Sequence, residues 1–317
     1  PEFDGNLLVT NCIGFQGILR YKLNDVGASL SGQEQEPILS SSDPNFRPVD
    51  CKVGPDGALY FVDWQNPIIG HMQHNLRDPS RDRTKGRIYK VTHEGRKPSE
   101  PVKIAGAKTE DLVKLLAHPE DRVRYRAKIE LGARDAKEVL EAAHKWGEGG
   151  WVSGGTPDAK MDVERVRLEV LWLQQYHNVA HPALLKMVLV SPDFRARAAA
   201  VRVLLAWRDR VPDALEQLKK AAADEHPRVR LEAVRAASFF AVPEAAEVVF
   251  VAQDKLSDQY VDHVAKETMR ALDPVVKKAI AEKRPIKFTT PAGARYFLKS
   301  VATDDLLKMD RTPAVYF

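Results

Sequence analysis

The feature that most constrains this chain is a run that keeps coming back. Val123-Arg124-Tyr125-Arg126-Ala127 recurs in outline as Val166-Arg167-Leu168-Glu169-Val170, Ala196-Arg197-Ala198-Ala199-Ala200 and Val229-Arg230-Leu231-Glu232-Ala233, with a weaker echo from Val261. The offsets are 43, 30, 33 and 32 residues, within the range of helical-hairpin repeats. Each unit reads as a helix, a turn marked by Pro119, Pro192 or Pro227, and a second helix opening with acidic residues or Arg. Such a hairpin cannot bury its apolar face alone, so neighbours must stack into one continuous core. Residues 106–284 are therefore expected to form an α-solenoid of HEAT-like hairpins. Two short helix-like runs, Ala292 to Val301 and Thr303 to Met309, make 285–317 a helical linker. The long first spacing comes from Trp146 to Lys160, a Gly-rich insertion without the Gly-Lys-Ser/Thr ending of a phosphate loop. It reads as a surface loop tucked down by Trp146 and Trp151, or alternatively as a loop that binds a partner.

Before Thr109 the period is different. Residues 6–10 and 17–23 read as strands, the second with Leu19, Tyr21 and Leu23 alternating with Arg20 and Lys22. A Gly/Ser-rich loop is expected next, then a strand over 36–41. Val49, Cys51 and Val53 alternate with Asp50 and Lys52 up to the turn Gly54-Pro55-Asp56-Gly57, where Pro suits φ near −65° and Gly suits positive φ. Ala58 to Asp63 reads as a strand covered on both faces, and Gly86 to Val91 as the next. The order of strand, Pro-Asp-Gly turn, aromatic strand, long loop and strand is that of a propeller blade. One partial blade (6–41) and one fuller blade (46–105) are counted, against the ~4 to 8 of a closed propeller. The fold class expected is thus α+β in two domains: about two antiparallel blades of a partial β-propeller over 1–105, then the α-solenoid. With Pro1 in place of Met and no helix-capping signal before Phe317, the chain is expected to continue on both sides.

Composition narrows the partners. Lys and Arg number 48 against 44 Asp and Glu, a net charge of +4, which gives no global case for nucleic acid. No apolar run approaches the ~20 residues of a membrane span. Cys12 and Cys51 lie in strand-like runs without a CxxC partner or a CxxCH haem signature; they read as small buried hydrophobes.

The chemistry-bearing stretch is the loop from Trp64 to Gly86, broken by Asn66-Pro67 and Asp78-Pro79. A long loop on a rigid scaffold is the usual place for function. His71 and His74 are candidate bases, able to take a proton from an alcohol as hydride leaves. Arg77, Arg81 and Arg83 are candidate clamps for the carboxylates of a cofactor or substrate, and Asp78 and Asp82 are candidate calcium ligands. The competing reading makes Arg77–Asp78 and Arg81–Asp82 ion pairs that only order the loop, with both His solvated. No GxSxG elbow, HExxH helix or GxGxxG loop is present. His118, His181 and His226, each beside Pro at a helix start, read as caps. Arg195, Arg197, Arg228 and Arg230 could line a basic ridge, but Asp193, Glu225 and Glu232 between them favour a mixed face.

The stretches LLVTNCIGFQGILRYKL and SSSDPNFRPVDCKVGPDGALYFVDWQNPIIGHMQHNLRDPSRDRTKGRIYKVTHEGR resemble the last propeller blades of the membrane-bound dehydrogenases, or haem-binding propeller proteins, of planctomycetes and verrucomicrobia. The resemblance covers about residues 6–96 and extends in architecture to the helical part; PAGARYFLKSV is similar to that group's linker. It implies an exported or periplasmic oxidoreductase akin to PQQ-dependent sugar dehydrogenases. PQQ and calcium would serve as cofactors and a sugar or alcohol as substrate. Electrons would pass to a c-type cytochrome domain or protein, whose haem c lies outside this chain. The alternative is a non-catalytic propeller and HEAT-repeat scaffold for protein or glycan partners.

Overall fold

A computed structural model of the chain describes residues 3, 5–68, 77–95, 97–152 and 163–309, the side chains of 148–152 excepted. Two compact units emerge, one built from Pro1–Val26 with Leu30–Glu130, the other chiefly from Leu131–Phe317.

The first unit contains two three-stranded antiparallel sheets. Strands β1 (Asn6–Asn11), β2 (Gly17–Val26) and β3 (Ser29–Ser40) form one, in that order. Strands β4 (Pro48–Val53), β5 (Leu59–Asp63) and β6 (Arg87–Val91) form the other. β1 pairs with β2 from Asn6↔Lys22 to Asn11↔Gly17, and β5 is the central strand between β4 and β6. The core joins both sheets: Ile18, Phe46 and Phe61 are buried, with Leu8, Ile38, Leu39, Cys51, Leu59 and Val91 packed around them. Phe61 stacks on Tyr89 with ring centroids 5.0 Å apart, and Phe46 meets Phe61 edge-on at 5.9 Å. Cys12 and Cys51 are free and half-buried, and burial pushes the Cys51 thiol above its ordinary value.

One sequence expectation is corrected here. The Gly/Ser-rich stretch after residue 23 is not a loop: β2 runs on to Val26, turns at Gly27 (φ +57°) and returns as the full length of β3. Glycine at the first central position of a two-residue turn suits a hairpin. β3 escapes pattern reading because it is an edge strand and mostly exposed, so its apolar residues do not alternate. The edge also tolerates Pro37, which has no N–H for the ladder.

The turn between β4 and β5 closes as its residues dictate. Gly57 N–H donates to Gly54 O at 3.1 Å with φ +74°, and Asp56 accepts from Ala58 N–H at 3.2 Å. Asp56 Oδ2 also meets Lys90 Nζ at 2.6 Å and the Tyr60 hydroxyl at 2.9 Å. The Lys90 ammonium is the main reason the Asp56 carboxyl is held down at about 2, against its ordinary 3.8. Because the folded value is depressed, the stabilisation from Asp56 is complete above about pH 4 and fades as pH falls toward 2. The urea midpoint of the wild-type protein should fall faster over that window than that of Asp56→Asn. Parallel falls in the two proteins would count against the pairing.

The helical elements alternate as hairpins. The first helices are α1 (Thr109–Lys114), α3 (Ala136–Val152), α5 (Pro182–Leu189), α7 (Ala214–Ala222) and α9 (Ala246–Ala252). Their partners are α2 (Asp121–Gly132), α4 (Val163–Tyr176), α6 (Phe194–Ala206), α8 (Pro227–Ala237) and α10 (Gln259–Ala281). Two more follow, α11 (Pro291–Ser300) and α12 (Thr303–Leu306). Every copy of the recurring run falls in the opening turns of a second helix. In three of the copies the arginine closes its own turn: Arg124 Nη1 donates to His118 O and Pro119 O, Arg197 Nη1 to Ser191 O and Pro192 O, and Arg230 Nη1 to Asp224 O and Glu225 O, whereas Arg167 pairs with Glu164 at 2.7 Å. In the last copy Asp262 stands in place of arginine, and Ser257 Oγ donates to it at 2.6 Å.

The expected loop over Trp146 to Lys160 is also corrected at its start. α3 continues through its glycines to Val152. A helix already propagating from the strong formers of Ala136 to Lys145 carries a Gly at a cost of only ~1 kcal/mol. Residues 153–162 lie outside the described residues.

His118, His181 and His226 act as helix-start acceptors, their Nδ1 taking the N–H of Glu120, Leu184 and Arg228 at 3.1, 3.1 and 3.2 Å. The arginines do not make a basic ridge. Arg197 forks onto Asp224 at 2.7 and 2.8 Å, Arg230 is buried, Arg195 lies 3.9 Å from Asp193, and Arg228 lies over the Phe194 ring.

A framed loop as the candidate functional site

The polar frame under the Trp64–Gly86 loop starts from Asp63, the last residue of β5. Its side chain is fully buried, and Oδ1 accepts from Arg47 N–H at 2.7 Å and Gln65 N–H at 2.8 Å. Oδ2 faces Arg87 Nη1 at 3.4 Å, so the charge inside has a partner. A buried carboxylate without such partners would carry a desolvation cost of several kcal/mol.

From there the chain is tied at each step. Trp64 N–H donates to Arg47 O and Asn66 N–H to Asn45 O, both at 2.9 Å. Gln65, at φ +47°, is held in the left-handed region that a non-glycine residue seldom adopts. Its side chain is fixed by Arg87, which donates to its amide oxygen, and by Asp43, which accepts from its Nε2 at 3.3 Å. Asn45 N–H chiefly, with Gln65, holds the Asp43 carboxyl below its ordinary value. The Arg47 guanidinium donates to Asn66 O at 3.0 Å, to Pro67 O at 3.4 Å and to Cys12 O at 2.6 Å, the last lying just beyond β1.

The two ends of the loop are also joined to each other. Asn66 Nδ2 donates to Asp82 O at 3.2 Å, and Arg81 Nη1 reaches Ile68 O at 3.4 Å. The frame thus fixes where the loop leaves and re-enters the sheet. Backbone held off the common conformations by surrounding structure is a recurrent property of functional loops.

The sequence candidates distribute as follows. His71 and His74 lie outside the described residues. Asp78 Oδ1 accepts from Ser80 N–H at 2.9 Å and Ser80 Oγ at 2.6 Å. Asp82 Oδ1 accepts from Thr84 N–H and Oγ1 at 2.9 Å and from Lys85 N–H at 3.1 Å, and the Thr84 amide is the main reason its carboxyl titrates low. Both aspartates therefore shape their own turns, the Asx pattern. Arg77 and Arg83 share the loop with Arg81, whose guanidinium is turned to the loop's own carbonyl at Ile68.

Among the described residues no group of three His, Cys, Asp or Glu side chains converges to hold a metal ion. Calcium takes six to eight oxygens, so Asp78 and Asp82 do not by themselves fit a calcium site. The loop supplies guanidinium groups suited to carboxylates.

Residue-type reasoning missed the frame itself: Arg47, Asp63, Gln65, Asn66 and Arg87. The available signal was an acid ending an apolar strand and followed by Trp-Gln-Asn-Pro, a polar cluster where a solvated turn needs none. Among the described residues no helix is long and apolar enough to cross a membrane.

Comparison with known families divides the chain in a similar way. Residues 2–95 match a domain of unknown function, DUF7133. Residues 181–270, which run from the start of α5 into α10, match HEAT repeats. No curated protein matches the chain.

Proposed function

We propose that this chain is the blade-and-solenoid part of an exported, periplasmic propeller dehydrogenase that oxidises a sugar or alcohol and passes electrons to a haem c domain outside this chain. The observation that carries the proposal is the framed loop. The blade-like sheet β4–β5–β6 devotes a buried carboxylate, two arginines and two buried amides to fixing the two described ends of the loop in whose sequence His71, His74 and the arginines occur. A mere connection needs no such support. The sequence resemblance supplies the reaction class.

In this reading His71 or His74 takes the hydroxyl proton of the substrate, and Arg77, Arg81 and Arg83 clamp carboxylates of PQQ or substrate. PQQ, when bound, supplies the two-electron acceptor. Asp78 and Asp82 shape the turns between these arginines by accepting from Ser80, Thr84 and Lys85.

The test is dye reduction by the full-length protein supplied with PQQ and calcium, across a panel of sugars and alcohols. A substrate should emerge, and the double substitution His71→Ala/His74→Ala should lower kcat by about 100-fold or more with the melting temperature unchanged. A folded protein that reduces dye with none of them, and whose ligand binding ignores both histidines, would sink the reading.

A scaffold role for the helical part stands beside it, supported by the HEAT match and by the stacked hairpins.

A further inference from the structure

Where α6 packs on α8, one carboxylate holds two arginines. Glu232 is buried, with 8% of its side chain exposed. Arg202 approaches its Oε1 through Nε and Nη2, each at 2.7 Å, and Arg235 donates to its Oε2 through Nε at 3.0 Å. Both guanidinium groups remain well exposed, at 56% and 40% of their side chains. Nη1 of Arg202 and both Nη groups of Arg235 meet no protein acceptor among the described residues.

Stability accounts for one of these arginines and not readily for the second. A half-exposed ion pair contributes ~0–1 kcal/mol, and the first arginine already neutralises Glu232. Adding the second leaves a net positive charge on two forks whose stems are fixed by a buried anchor. Such pre-organised guanidinium groups suit carboxylates approaching from solvent. Apolar surface follows along the chain: Phe239, four residues after Arg235, is 54% exposed, and Val242 is 40% exposed.

We propose that Arg202 and Arg235 form a docking clamp for an acidic segment of a protein partner, its carboxylates seated on the two forks and an apolar side chain covering Phe239. Charge complementarity to the two guanidinium forks selects this occupant, with exposed Phe239 four residues further along the chain. The proposal is independent of the oxidoreductase reading, because it uses only the helical unit.

The experiment measures fluorescence anisotropy with the whole chain and a fluorescein-labelled Glu-Phe-Glu-Glu-Leu peptide, against the same peptide with Gln for Glu. The Glu peptide should bind at least ~10-fold more tightly than the Gln peptide, and the advantage should shrink as salt shortens the screening length. Arg202→Gln/Arg235→Gln should abolish the difference, while Arg270→Gln, which removes an exposed arginine on α10, should keep it. If the Gln pair fails to fold by circular dichroism, Arg202→Lys/Arg235→Lys decides. That variant keeps both charges and loses the forks, so binding should weaken by ~3-fold or more. Equal binding of the two peptides, or unchanged binding in the arginine variants, would overturn the proposal. So would tighter binding of single-stranded DNA with the same arginine dependence, which would make the site one for nucleic acid.

Discussion

Replacing Asp63 by alanine should destabilise the β unit by about 3–5 kcal/mol, the scale of breaking a buried ion pair by removing one partner. The buried carboxylate accepts two backbone N–H groups, from Arg47 and Gln65, and faces Arg87. Alanine leaves both backbone N–H groups without their acceptor, at ~1–3 kcal/mol for each orphaned buried donor, and Arg87 loses its carboxylate while keeping the Gln65 amide oxygen. Asp63→Asn keeps one oxygen for the amides and removes only the charge, so its cost should be smaller. Amide hydrogen exchange is the measurement of choice: protection across β4–β6 should collapse in Asp63→Ala while α5–α10 keep theirs. A loss below about 1 kcal/mol would mean that the frame is held elsewhere, and the positioning of the loop would need another account.

The second large effect is expected at Arg230, 2% exposed inside the helical unit. Its guanidinium donates to Asp224 O and Glu225 O at 2.9 Å in its own turn and to Leu256 O at 2.5 Å in the next hairpin. Burial pulls its pKa below the ordinary value, opposed by Asp224, Asp258 and Glu225. Arg230→Met keeps most of the apolar stem and removes every donor. Three carbonyls then lose their partner, while the buried Nε, which has no acceptor, is also removed. The balance leaves a net loss of about 2–4 kcal/mol by urea unfolding, with Arg230→Ala costing somewhat more for its cavity. Arg230→Met as stable as wild type would show that packing, not hydrogen bonding, is what the arginine supplies.

The helical half was legible because its signal repeats. A single apolar-Arg pair means little, but Val166-Arg167, Ala196-Arg197 and Val229-Arg230 at offsets of 30 and 33 residues mark equivalent places in stacked units, and for Arg197 and Arg230 the structure gives the reason in the turn carbonyls. The β half was legible where one face is buried, as in β2 and β5, and illegible in β3, an edge strand whose residues are mostly exposed. The candidate site was legible only in composition. Asp63, Gln65 and Asn66 read as the solvated start of a loop, and burial alone reveals them as its frame. Charge neighbours in sequence also misled. Asp82 beside Arg81 suggested an ion pair, whereas its partners are Thr84 and Lys85.

The arginine closure has a consequence for how such a chain can change length. In each of three hairpins the donor sits in the second helix and its acceptors lie six and five residues back in the same hairpin. The seal on each turn therefore travels with its own repeat. Duplicating or excising one whole hairpin keeps these paired carbonyls with their own donor, although the bond from Arg230 to Leu256 O crosses a junction and is lost with it. A cut that separates the turn from its helix instead exposes two carbonyls at once. Copy number is free to drift in whole units, and the gene boundaries that survive should fall between hairpins, not within them.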